Sequence, residues 1–136
     1  MVTSLHVATG AAVGTLVRSR RQAVVLGLVS HALGDRVPHQ DNASRRFEIV
    51  SAAAGIVLLA VTRGPTDRAT VGALAASVPD VEHVIRLPRP RGRKLFPSHR
   101  VAGWHRSGGL PAWAQVLTAG LLLGALARPR GPGARR

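Results

Sequence analysis

Five apolar segments, separated by clustered arginines, glycines and prolines, constrain what this chain of 136 residues can fold into. We predict one helix in each segment: residues 5–17, 22–34, 47–62, 69–85 and 110–127. Pro38 should end the second helix and Pro111 should begin the fifth, because proline lacks the N–H that a helix interior requires. The sequence therefore predicts a single all-α domain over 1–127, a small bundle of about five short helices, and a basic flexible tail over 128–136.

The composition of the segments favours a membrane-embedded bundle. Hydrophobic residues make up 46% of the chain and aromatic residues only 3%, so the apolar content is mostly alanine, valine and leucine. Small side chains let helices pack closely in a bilayer, and arginine clusters between segments are typical of loops that meet anionic headgroups. Each segment is shorter than the roughly 20 residues that cross a hydrocarbon core. We therefore expect membrane lipids as partners, with a water-soluble bundle as the alternative.

The formal charge of +13 raises the question of nucleic-acid binding. A basic face gains affinity by releasing counterions from phosphates, and single-strand binding adds aromatic side chains between the basic ones. Here the basic residues are divided among the breaks between apolar segments, and no predicted helix combines a basic face with aromatics. We expect no nucleic-acid partner. The absence of cysteine also excludes disulfides and thiolate metal sites.

Most of the histidines and acidic residues gather in three short stretches. These hold His31, Asp35, His39 and Asp41; then Asp80, Glu82 and His83; then His99 and His105. His31 and Asp35 are four apart and Asp80 and His83 are three apart, so each pair shares one face of a helix. Imidazole and carboxylate are ligands that Zn²⁺ accepts, and Mn²⁺ or Fe²⁺ tolerate the same set. Two such pairs facing each other would hold a divalent metal ion.

The order of the helices predicts where these stretches meet. If the five helices alternate in direction, the N-terminus, the loop after the second helix and the loop after the fourth share one end. The candidate metal ligands are therefore His6, His31, Asp35, His39, Asp80, His83 and His105. Other interpretations stay open: His6 as a helix-end residue, His31 with Asp35 as a buried hydrogen-bonded pair, and His99 as a solvated loop residue.

Four short motifs, in this order, resemble a bacterial inner-membrane family described as membrane-bound metal-dependent hydrolases. They are His6, the run 30–41, Pro79-Asp80-Val81-Glu82-His83, and His99-Arg100 followed by Trp104-His105-Arg106-Ser107. The resemblance covers about residues 1–125 and implies a multi-pass protein of the cell membrane with a hydrolytic metal site. More faintly, His31 and Asp35 followed by His39 are similar to a helical motif of zinc-dependent phospholipases C and single-strand-specific zinc nucleases.

These motifs together predict a metal-dependent hydrolase. A divalent ion, most simply zinc, would activate water, with Glu82 as general base and Arg100 or Arg106 binding a phosphate or a developing oxyanion. The fainter likeness favours a phosphoester or lipid-derived substrate. The alternative is a non-catalytic membrane protein that uses the same histidines and carboxylates to hold a structural or transported metal.

Overall fold

The computed structural model describes residues 1–85 and 87–128. Within these residues the chain forms helices and turns without β-strands, which confirms the predicted all-α class. The predicted basic tail lies outside the described residues apart from Arg128. The helices are α1 (Thr3–Leu16), α2 (Arg20–Gly34), α3 (Arg45–Arg63), α4 (Arg68–Ser77), α5 (Val81–Val84), α6 (Pro97–Arg100) and α7 (Ala112–Leu126).

Side-chain caps set where three of the long helices begin. Ser19 accepts a hydrogen bond from the backbone N–H of Gln22, whose side chain reaches back to the Ser19 backbone and completes a capping box before α2. Ser44 and Asp67 cap α3 and α4, each accepting from a backbone N–H in the first turn. Because the caps supply these first hydrogen bonds, the helices start one or two residues before the predicted apolar segments.

The predicted fourth helix, 69–85, is divided in the structure. Helix α4 ends at Ser77, a 3₁₀ turn covers Val78–Asp80, and α5 is a single helical turn. Pro79 explains the break, because it has no N–H to donate and its ring clashes with the preceding turn of an α-helix. The prediction of one continuous helix was therefore wrong, and Asp80 and His83 lie in separate short turns.

Helix α1 packs against α4, and α2 against α4, through glycines. A Cβ atom at Gly10 would lie 2.4 Å from the Gly72 carbonyl oxygen, and one at Gly27 would lie 2.6 Å from the same oxygen. Only glycine permits backbones to approach this closely. The buried core around these contacts is accordingly made of small and aliphatic residues, among them Val7, Ala8, Ala11, Leu59 and Ala73.

One end of the bundle gathers the start of α1, the end of α2, the start of α3, the end of α4 and the start of α7. The backbone N–H of Val2 donates to Gln115 Oε1 over 2.9 Å, and that of Thr3 donates to Glu48 Oε2 over 2.6 Å. At the opposite end, Arg63 donates to a carbonyl in the last turn of α7. This is the arrangement expected from helices that alternate in direction, and it brings the three histidine-rich stretches together.

Large apolar side chains remain exposed on α2, α3 and α7. Val25, Val61, Trp113 and Leu121 are all more than half exposed. Among the helices of the described ranges, none is both long enough and apolar enough to cross a membrane.

Candidate metal centre

Asp35 forms the centre of a buried cluster of histidines at this end of the bundle. It follows the last residue of α2, and its side chain is 2% exposed. Its Oδ1 lies 3.2 Å from His6 Nε2 and 4.0 Å from His105 Nδ1. Its Oδ2 lies 3.1 Å from His31 Nε2 and 3.5 Å from His99 Nε2. A single carboxylate therefore faces imidazoles on two sides.

Backbone carbonyls hold two of the imidazoles in one tautomer. His31 Nδ1 donates to the Ala76 carbonyl over 2.8 Å, and His39 Nδ1 donates to the Val37 carbonyl over 2.6 Å. Because a carbonyl can only accept, the proton lies on Nδ1 and leaves the lone pair on Nε2. Metal-ligating histidines are typically fixed in this way. Ala76 lies in the last turn of α4, where carbonyls lack partners within the helix, so the end of α4 positions His31.

His99, on α6, is oriented by a buried carboxylate. Its Nδ1 donates to Glu82 Oε1 over 2.5 Å, while Glu82 Oε2 accepts from the Leu95 backbone N–H over 2.7 Å. Burial alone would raise the pKa of Glu82, but these hydrogen bonds lower it below the usual value. Both Glu82 oxygens thus accept a hydrogen bond, and His99 presents Nε2 to Asp35.

Asp80 closes the cluster from the turn after α4. Its Oδ1 lies 3.9 Å from the Nε2 atoms of both His31 and His99. Asp80 Oδ2, Asp35 Oδ2 and both ring nitrogens of His6 are buried and find no hydrogen-bond partner in the part of the chain that the structure describes. Buried polar atoms are nearly always paired, so this converging set fits a cation between its members.

Four overlapping groups of side chains have ligand atoms close enough to share one metal ion. In each group the ligand atoms lie within 4.8 Å of one another. The groups are His6, His31 and Asp80; His31, Asp35 and His99; Asp35, His39 and His105; and Asp80, His83 and His99. Every ligand predicted from the sequence belongs to at least one group, and so does His99, whose role the sequence left open. These donors can hold a divalent metal ion.

The His39 side of the cluster is built from two irregular segments. The backbone N–H of His39 donates to the Arg106 carbonyl, and that of Leu110 donates to the Pro38 carbonyl. These bonds pair the segment 38–40 with the segment 106–110, and they bring the rings of His39 and His105 to 4.4 Å between centroids.

Two side chains hold these segments against the helices. Gln115 is fully buried in α7, and its Nε2 donates to the Gln40 carbonyl over 2.8 Å. Trp104 Nε1 donates to the Ala32 carbonyl over 2.8 Å, which ties the loop before His105 to the end of α2. The positions of His39 and His105 therefore depend on polar contacts outside the cluster itself.

Asp41 and the amino group of Met1 lie beside His39. Asp41 Oδ1 is 3.3 Å from His39 Nε2 and 3.4 Å from His105 Nε2. The Met1 amino group contacts His39 Nε2 and lies 3.7 Å from Asp35 Oδ1. Carboxylate oxygens and imidazole nitrogens on this side of the cluster thus surround a positively charged group.

Hydrogen bonding and burial set the charge of the cluster. Burial alone would raise the pKa of Asp35, but the imidazoles of His31, His6 and His99 around its carboxylate hold it well below its usual range. Burial also lowers the pKa of His99, yet the neighbouring carboxylates of Asp35 and Glu82 outweigh burial and raise the pKa above the ordinary 6.5. For His39, burial dominates and the pKa is lowered. The carboxylate at the centre therefore stays charged, as a cation site requires.

A cavity of about 810 Å³ opens beside the cluster. Five of the candidate ligands line it, namely Asp35, Asp80, His83, His99 and His105. One wall is apolar and belongs to α3, with Ile49, Ala52, Ala53 and Ile56. Arg45 and Lys94 also line the cavity, whereas Arg100 and Arg106 are exposed and are not among its described lining residues.

Sequence reasoning missed two residues at this end of the bundle, Glu48 and Gln115. Glu48 lies in the first turn of α3 and lines the cavity. Glu48 could have been identified in the sequence as an acidic residue at the start of a helix that begins at the histidine-rich end. Gln115 could have been identified as a polar side chain inside an otherwise apolar segment.

No protein-family model, curated protein or solved structure matches this chain. The resemblance to membrane-bound metal-dependent hydrolases therefore stays a prediction from the order of the motifs. The donor atoms, their distances and the adjoining cavity are the observations from which a function can be argued.

Proposed function

We propose that this protein is a metal-dependent hydrolase whose centre holds two divalent ions bridged by Asp35. The proposal rests on the buried carboxylate of Asp35, which belongs to two ligand groups. One group contains His31 and His99, and the other contains His39 and His105. Nδ1 of His31, His39 and His99 is already hydrogen-bonded, so each of these rings would ligate through Nε2. At His39 an ion would replace the contact of Nε2 with the Met1 amino group. These two groups share only Asp35, and both can therefore be filled at once.

Zinc is the metal we propose, with manganese or iron as alternatives. The donors are imidazole nitrogens and carboxylate oxygens, and the chain has no cysteine, a set that suits all three ions. His6 and Asp80 are close enough to complete the ligands on the His31 side. A bound divalent ion would lower the pKa of a water molecule towards neutrality and so supply the nucleophile.

Positive charge in the cavity suits an anionic substrate. Arg45 and Lys94 line the cavity, and an arginine can bind two phosphate oxygens at once through its paired N–H groups. This position favours them for the substrate-binding role over Arg100 and Arg106, which the sequence predicted for it.

Glu82, predicted as the general base, is better suited to positioning His99. Its two oxygens already accept hydrogen bonds from His99 and from the Leu95 backbone. Carboxylates that hold a ligating histidine raise its basicity, and their loss typically weakens metal binding by about 10–100-fold. On this proposal Glu82 acts through His99, and proton transfer requires a different carboxyl group.

The apolar wall of the cavity favours a phosphoester within a lipid-derived molecule. An anionic headgroup at the ions would leave an apolar chain against Ile49, Ala52 and Ile56. The apolar side chains exposed on α2, α3 and α7 also make a surface of the kind that marks contact with lipid or with another protein. We propose that lipids of the bacterial inner membrane cover it, with arginines at the helix ends near anionic headgroups.

Metal analysis of protein purified in mild detergent tests the centre. We expect about two divalent ions per chain in the wild type and loss of both from the double variant His31→Ala/Asp35→Ala. Asp67→Asn is the matched control, because Asp67 caps α4 at the opposite end of the bundle and asparagine caps helices equally well. A wild type without metal, whose thermal stability is unchanged by EDTA, would refute the proposal.

Hydrolysis separates an enzyme from a protein that only stores or transports metal. The probe is bis(4-nitrophenyl) phosphate, tested with zinc-loaded protein and with the same protein after EDTA treatment. Turnover that is lost on chelation and restored by zinc or manganese supports the hydrolase. Stoichiometric metal with no turnover of this probe or of a long-chain phosphodiester supports the non-catalytic alternative.

A further inference from the structure

Glu48 is an acidic residue of the cavity wall that the proposed metal centre does not use. It is partly buried in the first turn of α3 and lines the same cavity of about 810 Å³ as Asp35, Asp80 and His99. Its Oε2 accepts from the backbone N–H of Thr3 over 2.6 Å. None of the ligand groups found among the described residues includes it. Its carboxyl group is thus held in place beside the centre without belonging to it.

The surroundings of Glu48 suit a group that gains and loses a proton. Burial raises its pKa above the ordinary 4.5; hydrogen bonds from Thr3 oppose the rise and the charge of Asp80 adds to it. A carboxyl group with a raised pKa exchanges its proton closer to neutral pH, where general acid–base catalysis is most effective. The other charged or titratable groups lining the cavity are the Met1 amino group, Asp35, Asp41, Arg45, Asp80, His83, Lys94, His99 and His105.

The other carboxylates near the centre have different contacts. Asp35 and Asp80 belong to ligand groups. Both oxygens of Glu82 accept hydrogen bonds, and Asp41 is 68% exposed beside His39. Glu48 is therefore a carboxylate that lines the cavity, is partly buried and belongs to none of these ligand groups.

We propose that Glu48 is a catalytic residue that carries the proton during hydrolysis, an inference that rests on the proposed function. In this step the water oxygen bonds to phosphorus, and the bond from phosphorus to the leaving-group oxygen breaks. The Glu48 carboxylate takes one proton from the water and gives it to the leaving oxygen. The second water proton stays on the product phosphate, so a phosphodiester and water yield a phosphomonoester and an alcohol.

The variant Glu48→Gln separates proton transfer from structure. Glutamine keeps an oxygen that can accept from the Thr3 N–H, so the contact between α1 and α3 is retained, but it cannot carry the proton. We expect the kcat of the zinc-loaded protein to fall about 100-fold, with metal content unchanged and with loss of the acidic limb of the pH–rate profile. The fall in kcat should be larger for diphenyl phosphate, whose leaving group needs a proton, than for bis(4-nitrophenyl) phosphate. Ser51→Ala, one turn along α3, is the control.

The pH dependence of unfolding in EDTA-treated protein gives a readout that does not depend on turnover. Since the folded-state pKa of Glu48 is raised, the folded state binds the proton more tightly than the unfolded state does. Wild-type stability relative to Glu48→Gln should therefore be greatest below about pH 4.5 and should fall as pH rises through the folded-state pKa. Ser51→Ala should follow the wild-type curve.

Two results would overturn the role of Glu48. One is wild-type turnover by a Glu48→Gln protein that carries the wild-type metal content, and the other is parallel stability curves for the two proteins. A wild type that binds no metal would instead refute the proposed function and this role with it. Metal content is measured in every sample, so the two failures are distinguishable.

Discussion

The substitution Asp35→Asn removes one negative charge from the point where the two ligand groups meet. Asparagine keeps the shape of the side chain, so a folded protein is expected. Its amide is neutral, and one of its two terminal atoms is a nitrogen that cannot accept or ligate. Because Asp35 is shared by the His31 and His99 side and by the His39 and His105 side, we expect both ions to bind more weakly.

The size of the effect follows from the linkage between metal binding and folding. With free zinc at 100 times the dissociation constant, each bound ion stabilises the folded state by about 2.7 kcal/mol. We take a 100-fold loss of affinity, which is the upper end of the loss caused by removing a residue that only orients a metal ligand. At the same zinc concentration, this loss leaves a stabilisation of about 0.4 kcal/mol per ion. At about 3 °C per kcal/mol for a chain of this size, two ions would raise Tm by about 16 °C in the wild type and by about 2 °C in Asp35→Asn.

Calorimetric unfolding in detergent, with EDTA and then with added zinc, measures these shifts. Asp67→Asn should keep the full wild-type shift, since Asp67 lies at the opposite end of the bundle. A zinc-dependent shift in Asp35→Asn equal to that of the control would refute the argument that Asp35 is a shared ligand. A shift reduced by half would mean that Asp35 serves one ion and that the second ion is held without it.

Four further substitutions test other parts of the structure. Glu82→Gln should keep the fold and weaken metal binding about 10–100-fold in competition with a metal indicator; unchanged affinity would contradict its positioning role. His99 has a raised folded-state pKa, so its proton stabilises the metal-free fold fully below about pH 6.5 and that contribution is lost as pH rises through the folded-state pKa. His99→Gln should therefore cost more stability at about pH 5.5 than at about pH 8.5 in denaturant titrations, and equal costs would contradict the pKa argument. Gly72→Ala brings a Cβ to 2.3 Å from the Gly10 carbonyl oxygen and should destabilise the fold by at least about 2 kcal/mol. Gly124→Ala, in open space on α7, should stabilise it by about 0.5–1 kcal/mol in thermal unfolding.

The helices could be predicted because apolar segments and their breakers are local signals. The segments predicted at 5–17 and 110–127 agree with α1 and α7 within two residues at each end. The segment 69–85 was the exception, because Pro79 interrupts an apolar run that continues on both sides of it. A proline in such a run can bend a helix or end it, and the choice depends on packing that the sequence does not display.

The candidate metal cluster could be predicted where its residues are spaced along helices. His31 and Asp35 share one face of α2, and alternating helix directions bring Asp80 to the same end. His99 could not be assigned in this way, because α6 is a single turn in a proline-rich connection and its ring is oriented by Glu82 from another element. Glu48 was missed because an acidic residue in the first turn of a helix is also favoured by the helix dipole alone.

The two candidate ligand groups that share Asp35 can be completed only late in synthesis. Their histidines lie at positions 31, 39, 99 and 105, so neither group is complete until most of the chain has left the ribosome. Ligands this far apart in sequence come together only after the helices have docked. On the proposed function, metal uptake would therefore follow the docking of the helices that carry these groups rather than guide it. A product that ends before residue 99 would lack both groups, so on the proposed function it could neither hold the ions nor hydrolyse a substrate.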